Sequence, residues 1–580
     1  MTAIAIPSPS QHSFVGSTPN QDDPASATTT PSFFPISCSP LSRSPFAHQL
    51  SLSPSTSVSG FAAAAAAASA SASSATTNSH GVHHPHRKSF GAAQPRPTSI
   101  LHHHKASVPA ATPAVVVPAP RRDTQELLLP PVYSGSILDQ FRTALSEVDL
   151  DQCDAHGENA FFVADLAEVY RQHVRWMREL GERVTPFFAV KSNPDPYVLR
   201  LMAALGLGFD CASQPEIAAV LNLPGNPVSP SRIIYANPCK AASFIRHAAR
   251  NKVDAMTFDN GDELVKIKKH HPDAKMVLRI LTDDSSSLCR LGLKFGAPLS
   301  EVRGLLKQAR ALGVSVTGIS FHCGSGCKDP LLFADAIRRA RWAFDVGKEE
   351  GFEFDLLDIG GGFEDDNFEA IAKVLRDAIA EHFPKEEGVK IIAEPGRYYV
   401  CRAFELATNI IAKRAARQGT NDEDSMMQDG RDDDVVEEDE EKPTVMYYVN
   451  DGVYSSFNSI MFDHQVVHPH VLTLSDEFQP DPVVPSSSSS GSGSPVRPDA
   501  VFEECSIWGP TCDSIDCVQP KAVLPTNLVQ VGDWLRWDNM GAYTICAASQ
   551  FNGFRRSTVR YTIDSRGDVA LEAKIRSLLV

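Results

Sequence analysis

The 580-residue chain is longer than one core needs, and its 54 basic against 70 acidic residues (net charge −16) leave no basic surplus of the kind a nucleic-acid binder carries. About ten of those sixteen net negatives fall in residues 421–442, which hold 12 carboxylates and 2 basic groups, so the remainder is only mildly acidic. No charged start followed by an apolar run opens the chain, and outside an alanine tract at 62–68 no stretch of about 18 apolar residues occurs; with twelve scattered cysteines, this points to a cytoplasmic protein with reduced thiols, without leader or membrane span.

Residues 1–124 are rich in Ser, Pro, Ala, Thr and His and poor in large apolar groups. Such a segment cannot bury enough surface to offset its ordering entropy and reads as a disordered extension. Its histidines, among them His83, His84 and His102 to His104, read as a solvated tract. Residues 125–162 are assigned to a β domain that resumes near residue 405. Leu166, Val169, Tyr170, Met177 and Leu180 stand at helical spacing before Gly181 and predict a helix over 166–180. Eight short β-rich apolar runs follow, at 185–190, 207–211, 232–235, 255–258, 275–280, 314–321, 354–359 and 390–393, with helical patterns such as 298–312, 330–348 and 367–383 between them. Eight strand–helix pairs over 163–404 predict an α/β fold, a (β/α)8 TIM barrel, with a doubly wound open sheet as the alternative. From 405 to 580, runs such as TVMYYVNDGVY, HVLTL, AVFEECSIW and LVQVGDWLRW predict an all-β sandwich or barrel domain. Two loops interrupt it, the acidic one near 415–443 and a second near 478–500 containing PSSSSSGSGS.

Reactive groups of a barrel gather at the C-terminal ends of its strands. There the chain carries Lys191 after the first run, Asp210 at the end of the second, His322 after the sixth, Asp358 followed by Gly360–Gly361–Gly362 at the end of the seventh, and Glu394–Pro395–Gly396–Arg397 after the eighth. Each alone is commonplace: a lysine leaving a sheet for solvent, a glycine turn, a structural histidine. Together they fit one task. Glycines let backbone N–H groups approach a phosphate, an arginine fork grips it, a lysine holds an aldehyde as a Schiff base, and a carboxylate keeps a pyridine nitrogen protonated. Cys323 and Cys327 have no second ligand pair at metal spacing, so no metal is assigned.

The segments PFFAVKSN, FDCAS, CRLGLKFG, SFHCGSGC, DIGGGF, EPGRYYV, YYVNDGVYSSFNSIMFDH, WGPTCDSID and GAYTICAASQFNGF occur in this order across residues 125–580. In them the chain resembles the eukaryotic ornithine decarboxylase family. The resemblance implies pyridoxal 5'-phosphate as cofactor, an alanine-racemase-like barrel plus β domain, and decarboxylation of L-ornithine to putrescine and CO2. It implies a homodimer with shared sites and the regulator antizyme as a partner, with no nucleic acid or membrane. Lys191 would carry the cofactor, His322 stack on its ring and Glu394 pair with its nitrogen. Ser325, Gly361, Gly362, Pro395, Gly396, Arg397 and Tyr543 would form the phosphate site. Asp210 and Glu216 would steady the lysine, and Arg290 would lie near the cofactor. Cys512 would be the proton donor and Asp513 a substrate ligand, both entering the partner's site, with Asp463 and Phe462 also facing substrate. Phe462 departs from the tyrosine common in the family and removes one hydroxyl. A lysine decarboxylase, a racemase and a catalytically inactive antizyme-binding relative are the competing readings. Asp513 after the cysteine, where diaminopimelate decarboxylases typically carry Glu, and the joint retention of Lys191, Glu394, Arg397 and Cys512 favour the ornithine enzyme.

Overall fold

The structure is a computed structural model describing residues 129–225, 227–415, 445–481, 483 and 499–580. The expected N-terminal extension and nearly all of the two expected loops lie outside those residues.

Eight parallel strands close into a barrel: β1 Val184–Ala189, β2 Gly208–Cys211, β3 Ile233–Tyr235, β4 Ala255–Phe258, β5 Lys275–Arg279, β6 Ser315–Ser320, β7 Leu356–Asp358 and β8 Lys390–Ala393. Ile391 of β8 faces Val184 of β1 in register, and that pairing closes the ring and rules out the open sheet. The strands are apolar on both faces because one face lines the barrel interior and the other meets a coat of helices. Side-chain caps start several of these helices: Asp165 accepts from Ala167 N (2.9 Å) ahead of Leu166–Glu179, and Asn260 accepts from Glu263 N (3.0 Å) ahead of Gly261–His270. Trp176 is fully buried and packs on Phe363, Phe368 and Tyr398, fastening the first helix to the end of the barrel.

The expected strand 185–190 ends one residue sooner. Val190–Ser192 form a tight turn, in which Ser192 Oγ donates to Ala189 O (2.8 Å) and Ala189 N donates to Pro395 O (3.1 Å). That turn swings Lys191 over the barrel mouth.

A second, nine-stranded sheet draws on both flanks of the barrel segment. Phe161–Asp165, upstream of the barrel, pairs with Phe404–Ala415 just after it and with Thr558–Ile563 near the C-terminal end. Trp534–Trp537, Val445–Val449, Phe502–Trp508 and Cys517–Pro525 continue it. The run LVQVGDWLRW yields a strand only from Trp534, because Asp533 accepts from Gln530 N (2.8 Å) and turns the chain before it. No described helix is long and apolar enough to cross a membrane.

Candidate active site

Lys191 is surrounded by protein, yet its side chain keeps 37 % exposure because it faces an open mouth. Its ammonium is ion-paired with Asp210 at the end of β2. Burial works against the charge, but Asp210, Tyr543 and Glu394 outweigh it and hold the amine above its ordinary range. Asp210 is 1 % exposed, and its Oδ1 has no hydrogen bond. Glu216 stands in the first turn of the following helix, Gln214–Leu221, its Oε2 accepting from Ala212 N (2.6 Å), with burial and then Asp210 raising its carboxyl against Lys191.

Across the mouth lie two buried carboxyls. Glu394, after β8, is pushed well up by burial and by the neighbouring Asp210 and Asp358. Asp358, at the end of β7, is pushed up to about 6, mainly by burial. Its Oδ1 accepts from Gly360 N (2.9 Å), while its Oδ2 is buried with no hydrogen bond. Two acids in contact away from water do not both ionise readily. Arg279, the last residue of β5, balances this floor: burial lowers its pKa, opposed by Glu394, Asp259, Asp358 and Asp210.

His322 follows β6. Its Nδ1 accepts from Gly324 N (3.0 Å), so a neutral ring carries its proton on Nε2. Burial, then Arg279 and Lys191, hold its pKa well below the usual value, which keeps it neutral. Gly361 passes beneath: a Cβ there would fall 2.7 Å from His322 Nε2 and 3.0 Å from Glu394 O. Gly362 has φ +104°, and a Cβ there would meet Gly324 O at 2.6 Å. Gly396 approaches Ser192 almost as closely, its absent Cβ lying 2.9 Å from Ser192 Cβ.

Arg397 opens the short helix Arg397–Val400 and lines a cavity of about 630 Å³ with Ser325, Gly326, Glu364 and Asp463. Its guanidinium lies 5.3 Å from the Tyr543 ring centre, and its Nε is buried without a hydrogen bond. Tyr543 reaches the site from the far end of the chain, its N donating to Ser192 O (2.9 Å) and its φ standing at +57°. A tyrosine in the left-handed region is held there by its surroundings.

Several expected site residues fall elsewhere or are engaged differently. Arg290 is half-exposed and pairs with Asp284 (3.6 Å), whereas Arg279 is the arginine set among the acids. Arg290 directly follows the strand Ser287–Cys289, and its expected place near the cofactor remains a proposal. Asp463 pairs with Arg397 and accepts from Cys289 Sγ (3.4 Å), so a group expected at substrate and one expected at phosphate meet each other. Phe462 beside it is 74 % exposed. Cys512 is exposed, and Asp513 accepts from Tyr454 Oη (2.5 Å); neither lines the Arg397 cavity. Sequence reasoning passed over Arg279, although a charge set inside the apolar run MVLRI was a legible signal.

The description "Pyridoxal-dependent decarboxylase, pyridoxal binding domain" matches residues 166–401. Ornithine decarboxylase of Neurospora crassa is 48% identical over 446 residues, covering 76% of this chain and 88% of that protein. The chain belongs to the ornithine decarboxylase family. Antizyme inhibitor 2 of Xenopus laevis belongs to the same set of relatives, at 45% identity over 75% of this chain and 88% of that protein. Among solved structures, the arginine decarboxylase of Paramecium bursaria Chlorella virus bound to agmatine superposes with a TM-score of 0.61 at 32% identity, covering 73% of this chain and all of that one. Pyridoxal phosphate is the cofactor of the family, and this site fits it. The Lys191 amine stands at the mouth, buried polar atoms of Asp210, Asp358 and Arg397 lack hydrogen bonds, and glycines keep the backbone bare where an anion needs N–H donors.

Proposed function

We propose that the chain decarboxylates L-ornithine to putrescine and CO2, the entry to polyamine synthesis, with pyridoxal phosphate held by Lys191. The observation that carries this is the Lys191 amine, paired with Asp210 and facing Glu394 in a barrel whose last two strands end in the glycine turn and Arg397. Pyridoxal phosphate supplies an aldehyde for the lysine and an aromatic ring that takes up the electron pair left by departing CO2.

The chain's own residues do the rest. Asp210 and Glu216 hold the Lys191 ammonium at the mouth. Glu394, with Asp358 beside it, binds a proton at the floor where the ring nitrogen would lie. Neutral His322 covers one face without adding charge. Ser325, the backbone of Gly361 and Gly362, the turn at Pro395 and Gly396, Arg397 and Tyr543 bind the phosphate, with Arg397 releasing Asp463 to do so. Asp463 then joins Asp513 in binding the distal ammonium of ornithine, a charge that needs compensation once out of water. Cys512 delivers a proton to the substrate carbon.

Cys512 and Asp513 lie outside this chain's own cavity and serve a second copy in a homodimer. Exposed Phe462, Val466 and Leu293, large apolar side chains in segments that flank the site, support that reading. The cytoplasm is the proposed location and antizyme a proposed partner. The test is CO2 release by purified protein from ornithine, lysine and arginine, with and without added pyridoxal phosphate. Preference for lysine would shift the substrate, and indifference to all three would favour the inactive, antizyme-binding reading suggested by the similarity to antizyme inhibitor 2.

A further inference from the structure

Cys512 sits in the turn 509–516, between the strands Phe502–Trp508 and Cys517–Pro525. The turn is closed at its base by Gly509 N donating to Asp516 O (2.8 Å) and by Asp516 N donating to Asp513 O (3.1 Å). Its shape, however, is fixed by one carboxylate. Asp516 is 1 % exposed, and its Oδ2 accepts from both Thr511 N (3.0 Å) and Thr511 Oγ1 (2.7 Å), gripping the residue just before Cys512. Its Oδ1 accepts from Val453 N (2.8 Å), which ties the turn to the segment carrying Tyr454. Tyr454 in turn donates to Asp513 and stacks on Phe551 at 4.2 Å. The carboxylate lies in a backbone cradle that admits no side chain: a Cβ on Gly452 or on Gly509 would fall 2.2 Å from Asp516 Oδ1. Three donors on one buried anion make strong, directional bonds. Cys512 is exposed, so its place depends on the backbone on either side of it.

We propose that Asp516 is a positioning residue for the Cys512 proton donor, acting through Thr511 and Val453 to fix where the thiol stands above the substrate carbon. The inference rests on the role given to Cys512 above. A donor displaced by a fraction of a bond length loses its competition with other acids, including water. The proton then goes to the cofactor-side carbon of the C=N linkage instead of the substrate carbon. Hydrolysis by one water yields an aminoaldehyde and pyridoxamine phosphate in place of the diamine and regenerated pyridoxal phosphate. CO2 release continues while the ratio of the two product pairs changes.

The test measures that ratio for the holoenzyme with ornithine in wild type, Asp516→Asn, Thr511→Val and Cys512→Ala, together with the rate at which iodoacetamide alkylates Cys512 in the unloaded protein. Expected is an aminoaldehyde fraction raised about tenfold by Asp516→Asn and less by Thr511→Val, with an altered Cys512 alkylation rate. A fall in melting temperature with ratio and alkylation unchanged would make Asp516 merely structural and overturn the proposal. If Cys512→Ala itself leaves the ratio unchanged, the role given to Cys512 fails. A shift for Cys512→Ala but not for Asp516→Asn refutes only the positioning claim. Should Asp516→Asn not fold, Thr511→Val removes one of the three bonds and decides the matter by the same two readouts.

Discussion

Lys191 shows how a single charge is shared out at this site. It is paired with Asp210 and flanked by Glu394, while the acids that surround it are themselves short of cations. Lys191→Ala should lower CO2 release from ornithine by about 10³-fold or more and leave no pyridoxyl label after borohydride reduction; retained turnover would end the assignment. The Asp358–Glu394 pair gives a pH prediction with a definite sign. Asp358 rises from 3.8 to about 6 in the folded protein, so the folded state holds a proton that the unfolded chain has released. Its contribution is complete below pH 3.8 and is lost as pH climbs through the folded value. Asp358→Asn keeps the acceptor for Gly360 N but cannot ionise. Denaturant unfolding of the unloaded protein should show the variant gaining on wild type by ~1–3 kcal/mol between about pH 4 and pH 7. An identical difference at both ends would mean that Asp358 does not titrate there.

At the scale of elements, the site depends on turns that bring backbone to backbone. Gly541 is the sharpest case outside the glycine triplet: a Cβ there would lie 1.8 Å from Val400 O, and its own carbonyl accepts from Asn193 Nδ2 (2.9 Å). It thus seats the segment carrying Tyr543 between the turn after β1 and the helix Arg397–Val400. Gly541→Ala should cost ~1–3 kcal/mol of stability and weaken cofactor binding together. Thermal melting and a fluorescence titration with pyridoxal phosphate would check both, and a loss confined to stability would mean Tyr543 does not touch the cofactor. Element-level legibility followed periodicity. All eight barrel strands were readable because strands buried on both faces are short continuous apolar runs. Phe404–Ala415 was not recognised, because FELATNIIAKRA mixes apolar and charged residues without alternation and owes its extension to pairing on both sides.

For the whole molecule, Cys512 and Asp513 do not line the Arg397 cavity, and the proposed homodimer is what would bring them to a site. If two copies complete each other's sites, a mixture of Lys191→Ala and Cys512→Ala chains, each defective in putrescine formation, allowed to exchange subunits should recover about a quarter of the wild-type rate of putrescine formation, since half the dimers then carry one intact site of two. No recovery, with exchange shown by mass, would place Cys512 in its own chain's site.

By itself the sequence determined what local chemistry and periodicity encode: a strand–helix alternation, Lys191, His322, the glycine triplet and the Glu394–Arg397 turn at strand ends, and a likeness spread over nine segments. Only the tertiary structure decided what depends on closure and long-range approach. It showed that β8 meets β1, that Arg279 rather than Arg290 stands among the buried acids, that Asp463 reaches Arg397, and that Tyr543 arrives beside Lys191 from across the chain. The physical reason is that residue spacing specifies which face of an element is buried, whereas the partner across a gap is set by how whole elements pack, and single-residue patterns carry no record of that.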